Sequence, residues 1–436
     1  MKTAQRGLWY LGLATIVAVV AGLGTTHAQQ GAIGANNPWL TLLPALRTAP
    51  APGWLRPGMR LTYYSAFARI QQDRERWIKD ETCNPNNPNG AIDPDNCVLG
   101  DDRQWYRRHP EGAPGSITGE AASGHGFTEV NVLALDQTVA VLDARSLNLS
   151  DATGPPITLA NWGSLELPAA GGDWWLNPQV LRGAAGLSAG PLTVMPIPYA
   201  ITGRRYNALW FTLNSAGRHV HVYDLDTGVL LHTSTEDKAE PTVIRPGASQ
   251  GAATLLSQNT LLGTRTPAFP WARYPAPDWV RQVAVLRYEG GTTSEMAGTG
   301  MIPASAIFER QAVGATWALY LVTIPQTDPT GGPTSPTQIS RAFGSAQFGG
   351  LWIHPQGLAQ LQQGQVLDDD PITKFRVLVR FVGRTPQGAD VVVIAEDGAG
   401  QLTETVYDRA SGGLLYYSFT NKILRTRTQL QLTQRR

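Results

Sequence analysis

The strongest constraint on the fold of this chain is an internal repeat. Four short segments occur twice, in the same order along the sequence. The pairs are residues 50–56 with 275–281, 175–181 with 352–358, 223–228 with 407–412, and 259–266 with 421–428. Repetition of this kind indicates that one structural unit has been duplicated, because every copy in a repeat architecture builds the same supersecondary structure. The sequence therefore predicts two copies of one fold.

The repeat also predicts how the 436 residues are divided. We expect a linker at residues 29–51, a first copy at 52–268, a Pro-rich linker at 269–277 and a second copy at 278–436. The first copy is the longer, and most of the extra residues fall near 73–115, a stretch rich in Asn, Pro and charge, with a smaller group around 236–257. Insertions of that size are tolerated in surface loops. The sequence predicts surface insertions in the first copy alone, the larger of them near 73–115.

Both cysteines of the chain, Cys83 and Cys97, lie inside the predicted insertion. A metal site or a catalytic thiol would need partner residues that the neighbouring sequence does not provide. Closing a loop of about 15 residues stabilises a folded chain by ~3 kcal/mol in the chain-entropy account. Since disulfides persist in oxidising compartments, the two cysteines predict a bridge and a location outside the cytoplasm.

The first 28 residues read as a secretory signal. Lys2 and Arg6 form a basic start, residues 7–24 carry no charge, and Ala28 ends a small-residue cleavage motif. An uncleaved membrane anchor is the alternative, although the apolar run is short for a span of ~20 residues. No later stretch is apolar enough to cross a membrane. We expect a secreted, periplasmic or cell-surface protein with no membrane span after signal removal.

Each copy is expected to be mainly β. The chain has 46 Gly and 31 Pro, and residues 59–63 alternate as a half-buried strand does. A short helix should follow Trp175 in one copy and Trp352 in the other, with His354 before it and Pro355 at its first position. We predict two tandem antiparallel curved sheets, half-barrel-like, each with a short helix. No resemblance to a known family is apparent.

Three histidines in the first copy form the most suggestive polar group. His219 and His221 share one face of a strand by alternation. A four-residue loop after Asp224 would place His221 directly opposite His232, and imidazoles at that separation can share a divalent metal. The second copy has no matching histidines, so a solvated polar face, with Val220 and Val222 buried behind it, is the alternative.

Two groups of aspartates have structural explanations as well as functional ones. Asp224 and Asp408 begin the repeated Tyr-Asp-x-x-Thr/Ser-Gly element, in which an Asp side chain bonds the turn backbone and Gly supplies a positive φ. Residues 368–370 are three consecutive aspartates, a possible calcium site. The first copy lacks them, and a shared Pro-Leu/Ile-Thr turn is the alternative interpretation.

The function predicted from these observations is binding rather than catalysis. With 35 basic and 34 acidic residues, the chain lacks the basic surplus of a nucleic-acid-binding protein. It also lacks the usual hydrolase, metalloprotease and nucleotide-binding motifs, and no cofactor is implied. Thirteen tryptophans could stack sugars or line an apolar cleft. We expect a non-enzymatic protein with a lipid-like or glycan ligand. The alternatives are a metal- or carboxylate-dependent extracellular hydrolase and a cell-envelope assembly component.

Overall fold

A computed structural model provides the fold. It describes residues 37–71, 76–85, 87, 97–99, 105–109, 120–149, 159–214, 217–239, 253–295, 299–327, 333–423 and 425–436. The predicted signal segment, residues 1–28, lies outside the described residues. No helix in the described part of the chain is long and apolar enough to cross a membrane.

The first unit is a ten-stranded antiparallel sheet. Its strands are β1 (Arg60–Gln71), β5 (Glu120–Leu135), β6 (Ala140–Leu149), β7 (Leu159–Glu166), β8 (Ser188–Ala189), β9 (Leu192–Ile201), β10 (Arg204–Asn214), β11 (Gly217–Asp224), β12 (Leu230–Ala239) and β13 (Ala253–Arg265). Their spatial order is β7-β6-β5-β1-β13-β12-β11-β10-β9-β8. The first and last strands thus pair in the middle of the sheet, while β7 and β8 form its edges.

The second unit repeats that order in a second ten-stranded sheet. Its strands are β14 (Val285–Ser294), β15 (Thr299–Val313), β16 (Trp317–Thr327), β17 (Pro333–Ser345), β18 (Val366–Asp369), β19 (Arg376–Arg384), β20 (Asp390–Gly398), β21 (Gln401–Asp408), β22 (Leu414–Asn421) and β23 (Thr426–Arg435). The spatial order is β17-β16-β15-β14-β23-β22-β21-β20-β19-β18. The predicted duplicated, mainly β fold is confirmed.

Helices are few and short in the described part of the chain. The α-helices there are α1 (Trp39–Leu42), α2 (Pro178–Gly183), α3 (Trp279–Gln282) and α4 (Pro355–Leu358), and 3₁₀ turns occupy Pro44–Arg47 and Glu81–Cys83. The predicted helix after each repeated tryptophan is present. Asn177 caps α2, and His354 caps α4 through a bond from the Gln356 amide to its Nδ1 atom, 3.2 Å long.

The insertion of the first unit lies between β1 and β5. It contains a three-stranded sheet of β2 (Arg76–Lys79), β3 (Cys97–Leu99) and β4 (Trp105–His109). A disulfide joins Cys83 to Cys97, as the sequence predicts. In the second unit only residues 295–298 separate β14 from β15, which leaves no room for such a sheet.

The duplication extends to individual hydrogen bonds. The Tyr63 hydroxyl donates to the Leu230 carbonyl at 3.2 Å, and the Tyr288 hydroxyl donates to the Leu414 carbonyl at 3.0 Å. The repeated tryptophans behave alike, because Trp54 Nε1 donates to the Thr227 carbonyl and Trp279 Nε1 to the Ser411 carbonyl. Each of these bonds ties the opening strand or turn of a unit to its Tyr-Asp hairpin.

One of the four repeated segments was matched to the wrong stretch of the second copy. Tyr63 pairs with Leu261, and its counterpart Tyr288 pairs with Leu432. Residues 259–266 therefore correspond to a stretch that begins at Leu430, and not to residues 421–428. The similarity that suggested the match is a coincidence of short polar segments, whereas register follows from the cross-strand pairs themselves.

The two units meet through charged side chains that are largely buried. Arg265, at the end of β13, binds Asp368 through two nitrogens at 2.6 Å each, and it also contacts Asp370. Asp370 in addition accepts the Ile372 amide at 2.7 Å. The three-aspartate segment thus holds the units together. The neighbouring strand pairs place Leu192 of the first unit at the position of Val377, and not of Ile372, so the proposed Pro-Leu/Ile-Thr correspondence is wrong.

Apolar packing supports the same interface. The edge strands β7 and β17 lie against each other, and a Cβ atom on Gly163 would come within 2.3 Å of the Phe343 ring. Phe343 belongs to a small core shared by both units, together with Leu133, Val141 and Leu319. The larger cores lie within the units, around Trp175 in the first and Trp352 in the second.

Candidate functional site

The repeated Tyr-Asp element is a turn in both units. The Asp224 carboxylate accepts the Thr227 amide at 3.0 Å, and the Asp408 carboxylate accepts the Ser411 amide at 2.8 Å. The glycine that follows has a φ of 78° in the first unit and 74° in the second. These carboxylates close the turn, as the alternative interpretation predicts.

The histidines of the first unit do not meet as the sequence suggests. Val222, and not His221, pairs with His232, because the register shifts by one residue between Val222 and Tyr223. The extra residue is Leu231, which forms a β-bulge. Since directly paired residues share a face, His232 lies on the face opposite His221. The predicted register is therefore wrong, and the three imidazoles are not brought to one point.

His219 and His221 lie on the face of the first sheet that also carries Tyr223, which we call the core face. His221 packs edge-on against Trp39 of α1 and stacks with Tyr223. Its side chain is 13% exposed. The prediction that the histidines point to solvent, with Val220 and Val222 buried behind them, is wrong in part, because both faces of β11 are covered here.

An aspartate that the sequence analysis missed lies beside His221. The His221 Nε2 atom is 4.0 Å from Asp173 Oδ1, too far for a hydrogen bond. His221 has no hydrogen bond within the described part of the chain. Burial lowers the pKa of His221 below its usual value, so its imidazole is neutral at pH 7. Trp39 Nε1 donates to Asp173 at 2.9 Å and fixes the carboxylate in place.

His219 has a partner of its own. The His219 Nε2 atom lies 3.1 Å from Asp237 Oδ1 on β12, and the side chain of Asp237 is 44% exposed. Together Asp173, His221, His219 and Asp237 form a row along β11, which we call the polar strip. Glu166 lies near its Asp173 end, where burial raises the pKa of the Glu166 carboxyl to about 7.

The second unit provides a natural comparison for the polar strip. Strand pairing and shared hydrogen bonds equate Asp173 with Gly350, His221 with Thr405, His219 with Thr403, and Asp237 with Asn421. The neighbouring core-face residues are also more polar in the first unit than in the second. Thr233, Thr235 and Asn259 of the first unit correspond to Tyr417, Phe419 and Leu430 of the second. The scaffold is common to both units, and the ionisable groups belong to the first.

The best-formed cavities of the described structure are not enclosed ligand pockets within a sheet. One is an open groove of about 470 Å³ between the N-terminal turns and α2, lined mainly by apolar residues such as Leu42, Val180 and Leu187. The other, of about 100 Å³, lies between the units beside Asp143 and Ser345. The residues of the polar strip line neither cavity, and their side chains range from 52% exposed at Asp173 to 13% exposed at His221.

The described residues contain no group of three or more His, Cys, Asp or Glu side chains arranged to hold a metal ion. Sequence reasoning found His219 and His221 but missed Asp173, Asp237 and Trp39. A comparison of the two copies offers the missing signal for the aspartates, because Asp173 aligns with Gly350 and Asp237 with Asn421. No repeat signal marks Trp39.

Comparison with known proteins adds little. No protein-family model and no curated protein matches the chain. A crystal structure of a protein of unknown function from the DUF3598 family of Nostoc punctiforme is 10% identical, with a TM-score of 0.13. The match covers 86% of this chain and 96% of that one. At that TM-score the similarity supports no statement about fold or function.

Proposed function

We propose that this chain is an extracytoplasmic, non-enzymatic binding protein whose ligand is a glycan, bound along the polar strip of the first unit. The observation that carries the proposal is the gap of 4.0 Å between His221 Nε2 and Asp173 Oδ1. A hydroxyl oxygen that lies to one side of the line joining these two atoms can be within hydrogen-bond distance of both, since such bonds measure about 2.7–3.0 Å.

The chemistry of the pair suits a sugar hydroxyl. A hydroxyl group donates one hydrogen bond and accepts others, so it can donate to a carboxylate and accept from a neutral imidazole N–H. Asp173 is 52% exposed and open to a ligand from solvent. Trp39 packs edge-on against His221 and donates from Nε1 to Asp173, which places an aromatic ring next to the polar pair. Polar groups beside an aromatic surface are common in ligand sites.

The lipid-like ligand that the sequence also allowed is less well supported. An acyl chain requires an apolar cleft or cavity that shields most of its surface from water. The groove of about 470 Å³ is open and lies outside the sheets, and the cavity of about 100 Å³ between the units is too small. The core face around the polar strip also carries hydroxyl and amide side chains. These features favour a hydrogen-bonding ligand.

The extracytoplasmic location rests on two observations. The first 28 residues have the order of a secretory signal, and the Cys83–Cys97 disulfide is typical of proteins that fold in an oxidising compartment. A glycan is a ligand that such a protein meets at a cell surface.

Binding of the mature chain to an immobilised glycan array tests the proposal. We expect the double variant Asp173→Gly/His221→Thr to lose at least ten-fold in affinity, because it removes both atoms that bind the hydroxyl. The second unit folds with Gly350 and Thr405 at these positions, so the variant should remain folded. The matched control, Thr405→Ala, should bind as the wild type does. Absence of any glycan binding by the wild type would overturn the proposal.

A further inference from the structure

We infer that the ligand is a linear glycan of at least two sugar rings, which runs along β11 and contacts both ends of the polar strip. This inference rests on the proposed function and adds the length and shape of the ligand. Its basis is the spacing along β11 of two separate His–Asp pairs, Asp173 with His221 and Asp237 with His219.

The order of the pairs along the strand is fixed by the fold. Asp173 lies at the Tyr223 end, because its carbonyl accepts the Tyr223 hydroxyl at 3.1 Å. Asp237 lies at the other end, because it pairs with Gly217, the first residue of β11. Along β11, His221 is four residues from Gly217, and a strand rises ~3.3 Å per residue. The strip is therefore ~13 Å long.

A single sugar ring is shorter than half of that length. It can bind the Asp173–His221 pair or the His219–Asp237 pair, but it cannot reach both. An extended oligosaccharide, such as a β-1,4-linked chain, can present hydroxyl groups to the two pairs at once. Linking the two contacts in one molecule makes the second an intramolecular event, which strengthens binding without any new contact.

The core face beside the strip carries hydroxyl and amide side chains across the neighbouring strands. Thr235 pairs with His219, and its hydroxyl is 2.7 Å from that of Ser257 on the next strand. Farther across the sheet, on β1, the Ser65 hydroxyl is 2.7 Å from that of Thr128 and also donates to Asn259. In the second unit the positions of Thr235 and Asn259 hold Phe419 and Leu430. The hydrogen-bonding surface is continuous in the first unit only.

Calorimetric titration with two ladders tests the inference: β-1,4-linked glucose and β-1,4-linked N-acetylglucosamine oligomers of one to six units. We expect affinity for one of the ladders to rise at least ten-fold between one unit and three, and then to level off as the strip is filled. The double variant His219→Thr/Asp237→Asn carries the residues of the second unit. It should bind the trimer about as weakly as the wild type binds the monomer, and Thr403→Ala should change nothing.

The outcomes separate the two proposals. Equal affinity for all lengths, with loss of binding only in Asp173→Gly/His221→Thr, would overturn the linear ligand and leave a glycan site of one ring. No binding to any oligomer, together with none on the array, would overturn the glycan proposal and this inference with it. Circular dichroism of each variant shows whether the sheets are intact.

Discussion

Arg145 of the first unit and Glu396 of the second form a two-pronged ion pair across the interface between the units. The two terminal guanidinium nitrogens lie 2.7 and 2.5 Å from the carboxylate oxygens, and the remaining Nε atom donates to Glu129 at 2.7 Å. The side chain of Glu129 is fully buried. This network positions the face of the first sheet that lies opposite the core face against the second unit.

The first prediction concerns this network. Glu396→Gln leaves the Arg145 guanidinium with less compensating charge in a poorly solvated place, which we expect to lower the free energy of unfolding by about 3 kcal/mol. Urea unfolding followed by tryptophan fluorescence measures the change. As a control, Glu404→Gln removes the partner of Arg380, which is 55% exposed, and should cost less than about 1 kcal/mol. Equal effects of the two substitutions would show that the interface network is not buried in solution.

The second prediction concerns Asp143, which lies in the same interface. Burial raises its pKa from 3.8 to about 7. The folded state therefore holds a proton that the unfolded state has lost, and stability should fall as the pH rises from about 4 to about 7. Asp143→Asn mimics the protonated form and removes this dependence. We expect the variant to be more stable than the wild type at pH 8, by on the order of 3 kcal/mol, and similar to it below pH 4.

Urea unfolding at a series of pH values measures that difference. Parallel stability profiles for the wild type and Asp143→Asn between pH 4 and pH 8 would show that Asp143 keeps an ordinary pKa. The small cavity that Asp143 shares with Ser345 would then be hydrated in solution.

The third prediction tests the repeated hairpin. A Cβ atom on Gly228 would come within 1.8 Å of the Leu176 carbonyl oxygen, at a φ of 78°. Gly228→Ala must therefore displace backbone as well as adopt a strained conformation, and we expect a loss of more than about 3 kcal/mol in unfolding free energy. Gly388→Ala has a similar φ of 89° with open space around it, so it should cost only about 1 kcal/mol. Indistinguishable melting temperatures for the two variants would contradict the close approach.

The fold could be predicted from the sequence more completely than the site could. Trp175, Trp352 and the two Tyr-Asp hairpins occur twice, so the duplication and the β character could be predicted from them. The polar strip could not be predicted, because one extra residue, Leu231, shifts the pairing of β11 with β12. The shift moves His232 to the other face of the sheet. Bulges of this kind depend on packing on both sides of a strand, and alternation alone does not reveal them.

The two aspartates that the sequence analysis missed show a second reason why the site could not be predicted. Asp173 lies in the segment between β7 and α2, where no strand period places it, and its contact with Trp39 joins positions 134 residues apart. Asp237 lies on the strand of His232, and its contact with His219 follows only from the correct register. Long-range contacts of this sort depend on the assembled sheet.

The most direct test of the account is hydrogen–deuterium exchange of the whole mature chain with and without the oligomer that binds most tightly in the two ladders. We predict that the ligand slows exchange in peptides that cover β11 and β12 of the first unit, and that it leaves the equivalent strands, β21 and β22, unchanged. Protection confined to β21 and β22, or to the groove beside α2, would contradict a glycan site on the polar strip.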